Sequence, residues 1–167
     1  MPQTIAIAAT LQIDSTGNPI VGGAAVAVSR GKQSDIVLTE GTGNNQATKT
    51  YSAERTVATA ANDDIDLAGA LTDIMGVSQM TFATVKAIVI RASPANTTNL
   101  SVGPAPSNGF VGPFGSASDR VTIRPGGAFV IVAPQTGFPV TPNTGDILRV
   151  TNAAGASAIY TVEIVGT

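Results

Sequence analysis

Short runs rich in Val, Ile, Thr and Phe recur along this chain, each stopped by Gly, Pro, Asn or Ser before it reaches helical length. An amphipathic helix needs apolar residues at a 3.6-residue period over several turns, and almost no window here supplies that. Strands of this length with turn residues between them are the pattern of a sandwich or barrel. The runs "TIAIAATLQ" (4–12), "DIVLT" (35–39), "ATKTYSAERTVA" (47–58), "MTFATVKAIVIRA" (80–92) and "TNLSV" (98–102) are expected as strands. So are "RVTIR" (120–124), "AFVIVA" (128–133), "DILRVT" (146–151) and "SAIYTVEIV" (157–165). The fold expected is all-β, an antiparallel β-sandwich.

Individual strands carry finer expectations. In the last run Tyr160, Val162 and Ile164 share one face while Thr161 and Glu163 share the other, as a half-buried antiparallel strand requires. In "RVTIR", Val121 and Ile123 are expected to point inward, with Arg120, Thr122 and Arg124 outward. The run ending at Ala92 has apolar residues at both parities, so it is either a central strand covered on both faces or one broken by a bulge. Only "LAGALTDIMGV" (67–77) reads as helical, and Gly69 and Gly76 limit it to about two turns.

Residues 1–45 differ from the rest. They are rich in Gly, Thr and Asn, and read either as an extended N-terminal region that docks on a neighbouring subunit or as further strands of the same sandwich, residues 46–167. The segment "GPAPSNGFVGPFGSASD" (103–119) is the longest stretch without periodicity, and long loops inside a compact domain are often functional. Its Phe110 and Phe114 stand out in a chain that is only 4% aromatic. They either cap the end of the sandwich or anchor a partner.

Composition narrows the function. Only 12% of residues are charged, against roughly 25% in an ordinary domain, and the net charge of −2 leaves no basic footprint for nucleic acid. The chain contains no Cys and no His. That removes thiol chemistry, the usual general base near neutral pH and imidazole metal ligands, and points away from an enzyme. No apolar run approaches the ~18 residues of a membrane helix, and the start "MPQTIAIAATLQ" has no basic leader; a soluble protein without membrane contact or cofactor is expected.

Two motifs need separate treatment. "RPGGAFVIVAP" places Gly126 and Gly127 before a β run, whereas a phosphate-binding loop opens a helix. Pro125 presets φ, and Gly126 is suited to the positive φ of a type II turn, so a hairpin turn is expected. The acidic "NDDIDLAG" (62–69) lacks the ligand spacing of an EF-hand and is expected as a solvated turn with Asp capping the short helix. A pair of carboxylates for glycoside hydrolysis is present in principle, but Trp is absent and Tyr numbers two, so sugar-stacking platforms are scarce.

The ordered phrases "MTFATVKAIVIRAS…NLSVG", "RVTIRPGGAFVIVAP" and "GDILRVTNAAGASAIYTVEIVGT" resemble head decoration, or cement, proteins of tailed bacteriophages. The resemblance covers about Asp63 to Thr167. It implies a jelly-roll-like sandwich without catalytic residues, a virion protein made in the host cytoplasm that sits on the capsid surface. It also implies binding to the major capsid protein, bridging of adjacent capsomers, and self-association as a homotrimer. Under that reading the candidate interface residues are Phe110, Phe114, Arg120 and Arg124, although the two arginines equally suit ordinary strand solubility. A receptor-binding or fibre-associated β module of the virion is the alternative.

Overall fold

The computed structural model describes residues 4–7, 20–21, 24–25, 36–69, 71–72, 76 and 80–167. Its strands in chain order are β1 (Thr4–Ile7), β2 (Ile20–Val21), β3 (Ala24–Ala25), β4 (Ile36–Glu40), β5 (Gln46–Ala47), β6 (Lys49–Val57) and β7 (Asn62–Asp66). They continue with β8 (Thr84–Ala92), β9 (Leu100–Pro104), β10 (Val121–Ile123), β11 (Ala128–Val132), β12 (Phe138–Pro139), β13 (Ile147–Asn152) and β14 (Ala158–Gly166). Among the described residues there is no helix, and the fold is an all-β sandwich whose two main layers are antiparallel.

One layer runs β11-β8-β14-β6, with β12 extending the β11 edge along β8; the other runs β10-β9-β13-β7. Between them lies one apolar core, drawn from Tyr51, Ile88, Ile90, Tyr160, Val162 and Ile164 on the first layer. Ile65, Leu100, Val102, Ile123, Leu148 and Val150 meet them from the second. Alternation produces this directly: Ala158, Tyr160, Val162 and Ile164 of β14 are buried while Ile159 and Glu163 face solvent. Each fully buried aliphatic side chain contributes about 1.5–3 kcal/mol, which holds the two layers face to face.

Strand β8 meets both descriptions expected of it. Val85 to Ile90 are all buried, and its pairing with β14 slips by one residue between Val165 and Gly166. Lys86 falls at that irregularity, 2% exposed in a central strand. Its Nζ donates to the carbonyl oxygens of Gln135 and, at 3.3 Å, Gly43. Backbone acceptors therefore satisfy a cation that the strand pattern alone would place badly.

Several expectations are corrected. The helix expected over 67–77 is absent among the described residues: Leu67 to Gly69 bend, and Leu71 forms an antiparallel bridge with Met80. Their reciprocal backbone hydrogen bonds of 3.1 and 3.0 Å give this loop partners that a helix with two glycines does not offer. Nor does Asp cap a helix; the acidic segment is strand β7, paired along its length with β13. The Pro-Gly turn is present, with Gly126 at φ 76° and the Gly127 N–H donating to Arg124 O at 2.8 Å. It is not a hairpin, because it carries the chain from β10 in one sheet to β11 in the other. Val121 is 41% exposed rather than inward, because β10 is an edge strand whose end lies beyond the core.

Most of residues 1–45, read either as an extended arm or as further strands of the sandwich, lies outside the described residues. Within those described, β1 pairs antiparallel with β4, β4 runs parallel to β5, and β2 pairs with β3. The Asn45 N–H donates to Pro134 O at 2.9 Å, and the Thr48 N–H to Gly166 O at 2.9 Å, so the approach to β6 is tied to the first layer.

Candidate functional site

A sandwich has two open sides where the edge strands of its layers face each other. Here β6 and β7 border one side, and β11 and β10 the other. The two sides are built from different chemistry.

On the first side, Asp63 of β7 points partly inward, an arrangement tolerated only with strong partners. Arg55 of β6 supplies a fork: its Nε and Nη2 donate to the two Asp63 oxygens at 2.6 and 2.5 Å. The Tyr160 hydroxyl adds a third donor at 2.8 Å, and Arg55 Nη1 reaches the Tyr51 hydroxyl at 3.2 Å. Burial works to raise the Asp63 carboxyl, but the Arg55 and Tyr160 hydrogen bonds outweigh it and hold the group below its usual range. The hydrogen bond to Asp63 raises Arg55, against the opposing effect of burial. Burial first, then the Asp63 charge, raises Tyr160 well above an ordinary phenol. One strand position along, Arg149 of β13 makes a second fork to Asp64 at 2.6 and 2.7 Å, and that hydrogen bonding raises the guanidinium. Ion pairs thus stitch β6 to β7 across the layers and β7 to β13 within one.

On the second side, the expected interface residues separate. Phe110 is fully buried in the core, with its N–H donated to Ile147 O at 2.9 Å, so it caps the sandwich and offers no surface to a partner. Its large apolar ring has nowhere better to go than the gap between the layers. Phe114 is half-buried, stacked on Phe129 of β11 with ring centroids 6.0 Å apart and planes 9° from parallel. Arg120 and Arg124 flank the short edge strand β10 and are both exposed. Arg120 is committed to its own loop, where Nη1 donates to Ala117 O at 3.1 Å and Asp119 O at 2.7 Å. Arg124 holds the turn to β11 through its carbonyl, which leaves its side chain exposed. Phe114, Arg120 and Arg124 therefore border one open side, whereas Phe110 is tied to the start of β13 and buried in the core.

Sequence reasoning missed a groove on the outer face of the five-stranded layer. Register aligns Glu54, Thr161, Arg91 and Ala128 in one transverse row across β6, β14, β8 and β11. With Ile159 and Pro94 they line a shallow hollow of about 420 Å³. The period-2 pattern already put Thr161 on the face opposite the apolar one; its alignment with Glu54 and Arg91 depends on strand order, which no single strand reveals. An acid, a hydroxyl and a guanidinium over an exposed isoleucine make a surface for polar contact. Among the described residues no cluster of His, Cys, Asp or Glu is arranged to hold a metal ion.

No family model matches the chain, and no curated protein matches it. Among solved structures, one described as Bacillus endospore appendages, a family of disulfide-linked pili, is similar at a TM-score of 0.33 and 13% identity. The similarity covers 72% of this chain and 92% of that one.

Proposed function

We propose that this chain is a structural virion protein of jelly-roll type that binds the outer surface of a tailed-phage capsid and reinforces the lattice by bridging adjacent major capsid proteins. Strand order is the observation that carries the reading. Counted from β6 and leaving aside the short β12, the two layers run 1-8-3-6 and 2-7-4-5. That is the order of a double Greek-key jelly roll, an architecture used by viral capsid domains, lectins and cupins. It joins the resemblance of the C-terminal phrases to capsid decoration proteins, and it accords with a chain whose ion pairs brace the fold itself. Binding by surface burial stabilises the assembled lattice through mass action, and self-association multiplies weak contacts through effective concentration.

The test is survival of particles. Capsids carrying the protein should withstand heating and osmotic shock that rupture capsids assembled without it, and adding the purified chain back should restore resistance. Equal survival with and without the chain, together with no chain bound to the capsid exterior, refutes the proposal. The transverse row of Glu54, Thr161 and Arg91 favours one second reading, a receptor-binding module, because it offers an acceptor and a forked donor to a polar ligand. Specific hits on a glycan array, lost in Arg91→Ala, would select that reading instead.

A further inference from the structure

The four edge strands of the sandwich are not equally protected. Lys49, Glu54 and Arg55 lie on β6, and Asp63, Asp64 and Asp66 on β7. Arg120 and Arg124 bracket β10. Charges on an edge are the usual defence against pairing with another chain. Strand β11 has none: from Pro125 to Gly145 the chain contains no Asp, Glu, Lys or Arg.

Its hydrogen-bonding direction is set by register. Ala92 N–H donates to Gly127 O and Ala133 N–H to Lys86 O, so the odd-numbered residues of β11 are those bonded to β8. The backbone N–H and C=O groups of Ala128, Val130 and Val132 therefore point away from the sheet. Among the described residues none of them has a hydrogen-bond partner. Their side chains sit on the outer face, where Val130 is 45% exposed, while Phe129 and Ile131 pack on the core.

We propose that a second copy of this chain docks on this edge, β11 against β11 in antiparallel orientation about a twofold axis at Val130. The strand is self-complementary in that arrangement. Val130 faces its counterpart, Ala128 faces Val132 of the other copy and Val132 faces Ala128, and every outward N–H and C=O group gains a partner. A slip of one residue would bring inward-bonded groups to the seam, so parity sets the register. An uncharged strand also meets its copy without like-charge repulsion, which a charged edge such as β7 would impose. The result is a continuous sheet that joins the five-stranded layers of the two copies, with the β11 strands at its centre. The inference stands apart from the capsid reading, since it concerns the free chain.

Crosslinking and sedimentation of the full chain test it. The chain has no Cys, so Val130→Cys forms a disulfide only between copies. Directly opposed residues of a hydrogen-bonded pair have Cα atoms about 5.5 Å apart, within the range a disulfide spans. Val130→Cys should oxidise to a crosslinked dimer, while Ile159→Cys, equally exposed on the outer face, should remain uncrosslinked. Val130→Pro removes an N–H that the fold itself does not use, and Val130→Lys adds the missing edge charge. Each should weaken dimerisation by about tenfold or more, with Val121→Lys on β10 leaving it unchanged. A chain that sediments as a monomer at all concentrations overturns the proposal. So does a dimer or trimer indifferent to both Val130→Lys and Val130→Cys.

Discussion

Asp63→Ala tests whether the Arg55–Asp63–Tyr160 cluster holds the first open side of the sandwich together. The substitution removes the acceptor of three hydrogen bonds at 2.5–2.8 Å and leaves a guanidinium and a phenol without it. Hydrogen bonds to a charged group contribute about 1.5–3 kcal/mol each, but the three share one carboxylate and do not add. Side-chain exposures of 28% for Arg55 and 16% for Asp63 let water recover part of the Arg55 solvation. The net loss is therefore about 2–4 kcal/mol, below the roughly 3–5 kcal/mol for breaking a fully buried pair. Denaturant unfolding measures it directly, and in a thermal scan it corresponds to a fall of about 5–15 °C. A cycle with Arg55→Met should show that the second substitution costs much less once the first is made. The pH dependence has a definite sign. Because the folded state holds Asp63 below its unfolded value of 3.8, its contribution is fully present above that value and disappears as pH falls through the folded one. The stability gap between wild type and Asp63→Asn should be flat from about pH 5 to 8 and shrink below about pH 4. A gap under about 0.5 kcal/mol at pH 7, or additive effects in the cycle, would refute the bracing role.

Two further predictions concern packing. Gly166→Ala should destabilise by more than about 2 kcal/mol, because its Cβ would stand 2.0 Å from the Thr84 carbonyl oxygen; Gly126→Ala finds nothing closer than 3.6 Å and should lose only the roughly 1–2 kcal/mol of an alanine at positive φ. Phe110→Ala should cost about 3–5 kcal/mol as a core truncation, while Phe114→Ala, whose ring is half-buried on Phe129, should cost about half as much or less; equal losses in chemical denaturation would contradict their different burial.

The strands that sequence made legible are those whose apolar residues alternate or run together, such as β8, β13 and β14. Strand β7 escaped because three of its five residues are Asp, a type depleted in strands. Its inward Asp63 makes sense only beside Arg55 and Tyr160, which lie 8 and 97 residues away in the chain. The loop at 67–77 misled in the other direction: local apolar spacing suggested a helix, and a tertiary bridge to Met80 prevailed. For the candidate site, exposure of Arg120 and Arg124 followed from strand alternation. Phe110 did not, because an aromatic in a Gly- and Pro-rich loop looks the same in sequence whether the loop folds over the core or away from it. The groove and the free edge were both invisible, since each arises from strand order and hydrogen-bond parity rather than from any one segment.

The distribution of the few charges gives the two open sides opposite roles. At 12% charged, the chain has little electrostatic material to place, yet Arg55, Asp63, Asp64 and Arg149 are gathered where β6, β7 and β13 meet. Ion pairs there close the fold on itself and leave its edges unattractive to another chain. The opposite side is lined by the Phe114–Phe129 stack, and among the described residues it presents bare backbone on β11 beside the exposed arginines that flank β10. Were both sides charged, the chain would keep to itself; were both bare, pairing at either edge would propagate into fibres instead of closing. One protected and one bare side restricts strand addition to a single event per chain, so the pairing closes at a dimer instead of polymerising.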